Sequence, residues 1–296
     1  MIKQRLGLQA VTCCAIAWPL ATAALADALP RDARARACWL EHTRERTRVH
    51  LNEPIVVDFA NLRHGYAVRT PFRVDFSVRG MGVIPAGKLD PKAGHHHLLI
   101  DQPLPAVVTQ PIPLSDKYRH FGKGQTGTVL DLAPGRHTLR LLFADYQHRP
   151  YFVYSPELTI DVTGPRSAQP VSIDAGCKAW YEDEVTRPRP PGQRAVIINL
   201  RSGEPVVSPF TVRFGADGYG IAPRGSGGPG LGHFMFDVFG TGGRPVRALD
   251  LGNGATQALL FLPPGGYLLR LRLLGQGREL VPPAEVAVQV VAQERD

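Results

Sequence analysis

Apolar and polar residues alternate in short runs along most of the chain. Phe72-Arg-Val74-Asp-Phe76 and Leu158-Thr-Ile160-Asp-Val162 repeat every two residues, the period of a strand with one buried face. Residues 129–132, then Pro134-Gly135, then residues 137–143 read as a β-hairpin. No window of twelve or more residues carries a helical stripe, apart from residues 31–48, where a short helix is predicted.

The pattern occurs twice. Pro71-Phe72, Gly80-x-Gly82-x-x-Pro85 and Gly94-His95 match Pro209-Phe210, Gly218-x-Gly220-x-x-Pro223 and Gly232-His233, each pair 138 residues apart. Gly122-x-Gly124-x-Thr126, Pro134-Gly135 and Leu139-Arg-Leu141 then match Gly252-x-Gly254-x-Thr256, Pro264-Gly265 and Leu269-Arg-Leu271, 130 apart. The second copy is therefore eight residues shorter between these two blocks. Repeats of roughly 100–110 residues built of short strands predict an all-β protein of two tandem immunoglobulin-like β-sandwich domains. The expected division is an N-terminal segment 27–54, repeat 1 at 55–163, a proline-rich linker 164–193 and repeat 2 at 194–291. The core of that linker, Arg187-Pro-Arg-Pro-Pro-Gly192, reads as a stiff, extended spacer.

Lys3 and Arg5, an apolar run and Ala24-Leu-Ala26 have the form of a signal peptide over 1–26. The run is also long enough for an uncleaved anchor, but Pro19 and the small-x-small end favour cleavage. No later run is long enough to span a bilayer, so the mature chain is expected to be periplasmic or secreted, with no membrane span. Composition agrees: 31 Gly and 27 Pro punctuate a chain that is 44% hydrophobic, which excludes collagen, coiled coil and long disorder. The formal charge of +8 includes Lys3 and Arg5. The remaining basic residues are scattered among acids, so nucleic acid is not an expected partner. Cleavage leaves two cysteines, Cys38 and Cys177. A disulfide and two separate buried thiols are both open.

Residues kept in both copies are read as scaffold; residues present in one copy are the better candidates for chemistry. His64, His95, His96, His97, His120, His137 and His148 lie in repeat 1, whereas repeat 2 keeps only His233. His96 becomes Phe234, His97 Met235, His120 Asp250 and His137 Tyr267. Phe234, Phe236 and Val238 are an alternating apolar set, so His96, Leu98 and Ile100 should face the core and His95 and His97 the opposite side. Imidazoles at i and i+2 on a strand can converge on one ion such as Zn²⁺ or Cu²⁺. His120 and His148 are candidate further ligands, Asp145 a ligand or an orienting group, and His96 a support from the core. Cu⁺ is less favoured, since thioethers suit it and only Met81 and Met235 survive cleavage. The alternative is a non-enzymatic envelope module whose histidines line a polar groove for a protein or glycan.

Gly122-Lys-Gly124-Gln-Thr-Gly127 and Gly225-Ser-Gly227-Gly-Pro-Gly230 match G-x-G-x-x-G. Neither lies between a strand and a helix, so both read as turns. Lys123 with the first loop's amides is a minor anion candidate. No G-x-S-x-G or other catalytic motif is present, and no enzymatic activity is expected.

Gly94-His-His-His-Leu-Leu-Ile-Asp101, His120-Phe-Gly-Lys-Gly-Gln-Thr126, Leu132-Ala-Pro-Gly-Arg-His-Thr-Leu139 and Asp145-x-x-His148 resemble an uncharacterised bacterial exported domain, domain-of-unknown-function family 4399. The resemblance covers roughly residues 72–162, with Ala133 departing from a proline often found in that turn. Repeat 2 looks like a degenerate copy. The resemblance implies a periplasmic or secreted location and no established activity.

Overall fold

The computed structural model describes residues 28–292 and a two-residue strand, β1 (Ala24–Leu25). The leader expected over 1–26 otherwise lies outside the described residues. The helices α1 (Ala33–Glu41) and α2 (Thr43–Arg46) fall within the stretch 31–48 where a helix is predicted. Asp32 starts α1 by accepting from the Ala35 N–H, a conventional N-cap. Repeat 1 follows as β2 (Val56–Phe59), β3 (Tyr66–Thr70), β4 (Phe72–Arg79), β5 (Gly82–Val83), β6 (Ala93–Ile100), β7 (Tyr118–His120), β8 (Gly127–Leu130), β9 (Gly135–Ala144), β10 (Pro150–Tyr154) and β11 (Leu158–Pro165). After α3 (Cys177–Thr186) comes repeat 2: β12 (Arg194–Ile197), β13 (Glu204–Val207), β14 (Phe210–Asp217), β15 (Gly220–Ile221), β16 (Leu231–Phe239), β17 (Pro245–Leu251), β18 (Gln257–Leu260), β19 (Gly265–Gly275), β20 (Arg278–Glu279) and β21 (Ala284–Val291). Among the described residues no helix is long and apolar enough to cross a membrane.

Each repeat is a β-sandwich of the immunoglobulin-like kind. In repeat 1 the sheet β2-β4-β8 faces the sheet β3-β11-β9-β6-β5, which also carries β7 and β10. Repeat 2 reproduces this with β12-β14-β18 against β21-β19-β16-β15, with β13, β17 and β20 alongside. The inward residues are the alternating ones: Phe72, Val74, Phe76, Leu98, Leu141 and Ile160 in repeat 1, and Phe210, Val212, Phe214, Phe236, Leu271 and Val286 in repeat 2. Each such side chain contributes about 1.5–3 kcal/mol of apolar burial.

One reading is corrected. The proposed hairpin is absent: β8 pairs with β4, whereas β9 pairs with β6 and β11. Pro134-Gly135 is an arch between the two sheets, and a turn signal by itself cannot distinguish an arch from a hairpin. The linker 164–193 also contains α3, which ends just before the proline-rich stretch 187–192. That helix buries Glu182, Asp183 and Thr186 beside Trp180 and Tyr181, so it has no apolar stripe to detect. A disulfide between Cys38 and Cys177, with Cα atoms 5.5 Å apart, fastens α3 to α1.

The repeats are related by an approximate two-fold axis, with equivalent contacts made in both directions. The Val78 N–H donates to Thr256 Oγ1, and the equivalent Ala216 N–H donates to Thr126 Oγ1, both at 2.9 Å. The Val83 N–H donates to the Gly254 carbonyl and the Ile221 N–H to the Gly124 carbonyl. Backbones approach so closely here that a Cβ on Gly82 would collide with the carbonyl of Asn253, and one on Gly220 with that of Lys123. Arg189 ties the proline-rich segment to both repeats, donating to both carboxylate oxygens of Asp75 and of Asp217. Burial works against the charge of Asp75, but Arg189 and Arg73 outweigh it and hold its pKa below the usual carboxylate range.

Gly82→Ala should therefore destabilise the protein by about 2 kcal/mol or more. Gly266→Ala, whose Cβ would meet only Gln289 Oε1 at 3.5 Å, should stay within about 0.5 kcal/mol of wild type. Urea unfolding of the two variants checks this, and equal stability would rule out a tight inter-repeat contact.

Candidate metal centre

β6 is buried at all eight positions, whereas its counterpart β16 alternates between buried and half-buried residues. The cause lies on the outer face of the sheet. The loop 101–117, which holds the extra length of repeat 1, folds over that face. Ile112 and Leu104 pack there with Leu99, Leu142 and Ala144 in a small second core. The Ile112 N–H donates to the His148 carbonyl at 2.8 Å. Asp101, in the left-handed region at φ 54°, opens the loop. Its carboxylate accepts from the Thr138 N–H and lies 2.8 Å from His137 Nδ1, while His137 Nε2 lies 2.9 Å from the Ala133 carbonyl.

His95 and His97 project into this covered space and are fully buried. The β6–β7 register sets His120 directly opposite His97. His148 arrives from the turn after β9, at φ 65°. In that turn Asp145 Oδ1 accepts from the N–H groups of Gln147 and Arg149, and the His148 N–H donates to the Asp145 carbonyl. One donor atom from each of His95, His97, His120 and His148 lies within 4.8 Å of those of the other three. His95 Nε2 is 3.1 Å from His97 Nε2 and 3.2 Å from His148 Nδ1. All four predicted imidazoles are thus brought together. Asp145 is not part of the group; its Oδ1 shapes the turn that presents His148.

The His95 pKa is pushed down to about 3, first by burial and then by His120, His148 and His96. That of His97 is pushed down to about 2, first by burial and then by its three partners and His96. His120 is lowered by burial and His148. These three rings are therefore neutral at ordinary pH, as metal ligation requires. The His120 ring lies so close to Gly122 that a Cβ there would collide with its Cε1 and Nε2. The role of Gly122 in seating that ring was not legible in the sequence, because Gly252 occupies the same place in repeat 2 beside Asp250.

His96 faces the core, as the alternation predicts. Its ring lies 5.2 Å from that of Phe76 and 4.9 Å from that of Phe143, with neither nitrogen hydrogen-bonded. Burial pushes its pKa down to about 3. Phe143 is its cross-strand neighbour, and in repeat 2 the equivalent pair is Phe234 and Leu273. The bulkier member of the pair thus lies on opposite strands in the two repeats. Lys123 is exposed in a loop packed against repeat 2 and lines a groove of about 650 Å³ between the repeats together with Lys88 and the second glycine loop. His64 Nδ1 accepts from the Thr159 N–H, away from the centre. A second grouping of donors, Cys38, His42 and Cys177, has both its thiols in the disulfide.

Residues 74–163 match the family described as a domain of unknown function (DUF4399). No curated protein sequence matches the chain. Among solved structures, the fibronectin(III)-like modules of Clostridium thermocellum CbhA are similar, with 9% identity, TM-score 0.25, and coverage of 80% of this chain and 95% of that one. A two-domain fibronectin type III segment of chicken tenascin has 13% identity and TM-score 0.19, covering 79% and 97%. CopC from Methylosinus trichosporium has 16% identity and TM-score 0.22, covering 32% of this chain and 88% of that one.

Two predictions follow from this geometry. His96→Phe alone should overpack the core against Phe143 and cost about 1–3 kcal/mol. Adding Phe143→Leu, the repeat 2 arrangement, should recover most of that loss; a double-mutant cycle in urea with no coupling would refute the exchange. The second concerns the anchor of the covering loop. Burial disfavours the charged forms of both partners, yet the hydrogen bond with Asp101 raises the His137 pKa, and that with His137 lowers the Asp101 pKa. The His137 contribution is complete below the ordinary imidazole value and fades as pH rises through its raised pKa. The Asp101 contribution is complete above the ordinary carboxylate value and fades as pH falls through its lowered pKa. The destabilisation by His137→Gln should therefore peak between about pH 4 and 6.5 and shrink at alkaline pH. Thermal melts across pH test this, and a flat difference would contradict it.

Proposed function

We propose that the protein binds a transition-metal ion through His95, His97, His120 and His148. The observation that carries this reading is the convergence of four imidazole donors within 4.8 Å of one another. Four nitrogens held tetrahedrally at 2.0–2.1 Å from an ion would be about 3.3 Å apart, close to the 3.1 and 3.2 Å separations around His95 Nε2. Hydrogen bonding alone accounts poorly for that point, because a neutral imidazole nitrogen carries either one proton or one lone pair. His95 Nε2 can make one good bond to its two neighbours, while an ion at their centre satisfies all three nitrogens. Imidazole donors suit zinc and copper. On this reading the protein is an exported binding protein, acting in the periplasm or outside the cell, and repeat 2 is a structural partner of the metal-binding repeat.

The reading is tested by elemental analysis of tag-free protein after incubation with zinc and copper salts and removal of excess metal. About one ion per chain is expected. His97→Ala should lose it while keeping the circular dichroism spectrum of the wild type. At a hundredfold excess over the dissociation constant, bound metal should stabilise the fold by about 2.7 kcal/mol. A wild-type protein that retains neither metal would overturn the proposal.

A further inference from the structure

The charge of the pocket narrows the choice of ion. All four donors are imidazole nitrogens, which bring no negative charge to an ion, and His95 and His97 are fully buried. Among the described residues no carboxylate or thiolate belongs to the donor group. Asp145, the nearest acid along the chain to His148, already accepts two backbone N–H groups through Oδ1. His95 Nδ1 and His97 Nδ1 have no hydrogen-bond partner, so no carboxylate lends charge to those rings from behind. The outer wall is apolar, made by Ile112, Leu99, Leu142 and Ala144.

An ion held here would have none of its charge neutralised by its ligands, at a site where two of the four donor rings are fully buried. The electrostatic cost of removing an ion from water grows as the square of its charge, so a divalent ion pays about four times what a monovalent ion of the same size pays. Neutral nitrogen donors are acceptable to copper in its lower oxidation state, and a d¹⁰ ion imposes no planar geometry. Resting on the four-histidine reading above, we propose that the site selects a monovalent d¹⁰ ion, Cu⁺, over Zn²⁺ and Cu²⁺. The sparse thioethers argue otherwise from sequence, but a donor set without a negative charge, with two of its four rings fully buried, favours the ion of lower charge. Repeat 2 supplies an internal contrast. The position of His120 is Asp250 there, paired with Arg224 on a more exposed surface.

The test is competition on tag-free full-length protein. Cu⁺ is supplied anaerobically with ascorbate against a chromophoric Cu⁺ chelator. Zn²⁺ and Cu²⁺ are supplied as sulfates against their own indicators. Cu⁺ should bind at least about tenfold more tightly than either divalent ion. His120→Asp, which keeps a ligand and adds one negative charge, should narrow that ratio by about tenfold or more. His148→Asp serves the same purpose at a half-buried position if the first variant does not fold. Zn²⁺ or Cu²⁺ binding as tightly as Cu⁺ to the wild type would overturn the selectivity and leave the metal-binding reading standing. An unchanged ratio in a folded Asp variant would also overturn it. Failure of all three ions to bind would remove both.

Discussion

β6 is covered on both faces, and the first repeat is organised around that burial. A strand packed inside a sandwich normally sends one side to solvent. Here the inner side meets Phe76, Phe121 and Phe143, and the outer side is closed by the loop 101–117. Three consecutive histidines can occupy such a strand only as neutral rings, because protonation would bury unpaired charge. Burial is the first cause of the depressed pKa values of His95, His96 and His97, and neighbouring histidines add to it at His95 and His97. The covering loop thus contributes to the burial that disfavours protonation of His95 and His97. Its anchors, Asp101 with His137 at the start and Ile112 on the His148 carbonyl, connect the cover to the site it closes.

The second repeat reaches the same site through the two-fold contact. The segment after His120 runs through Gly122, against which the His120 ring is seated, to Gly124 and Thr126. Those last two residues are gripped by Ile221 and Ala216 of repeat 2. A loop positioning one ring of the cluster is therefore held at its far end by the other repeat. The glycines shared by the two copies make this possible, since backbone meets backbone where a Cβ would intrude. Arg189, bonded to an aspartate from each repeat, closes the same junction from the linker side.

Much of this was legible in the chain. Period-two alternation located β4, β11 and β16, and the duplicated spacing revealed two similar folds. Comparing copies singled out the histidines, and the alternation of Phe234, Phe236 and Val238 correctly placed His96 inward and His95 and His97 outward. Other features carried no local signal. The arch at Pro134-Gly135 resembles a hairpin turn because the residues that permit either are the same. α3 was hidden because it buries polar side chains against specific partners. Asp145 is suited to ligation by type, but its place in the turn commits Oδ1 to two backbone N–H groups.

The sequence by itself determined the architecture, its duplication and the residues able to bind a metal, because alternation and side-chain chemistry are properties of short stretches. Whether those donors meet at one point was decided only by tertiary structure. His120 and His148 lie 23 and 51 residues beyond His97, and pairing of β7 with β6 and the turn after β9 bring them together. The shift in repeat spacing from 138 to 130 was visible as a length difference. That the added residues form a cover over His95 and His97, and that no acid joins the donor set among the described residues, depends on contacts between distant segments, and those contacts set the dielectric and charge an ion would meet.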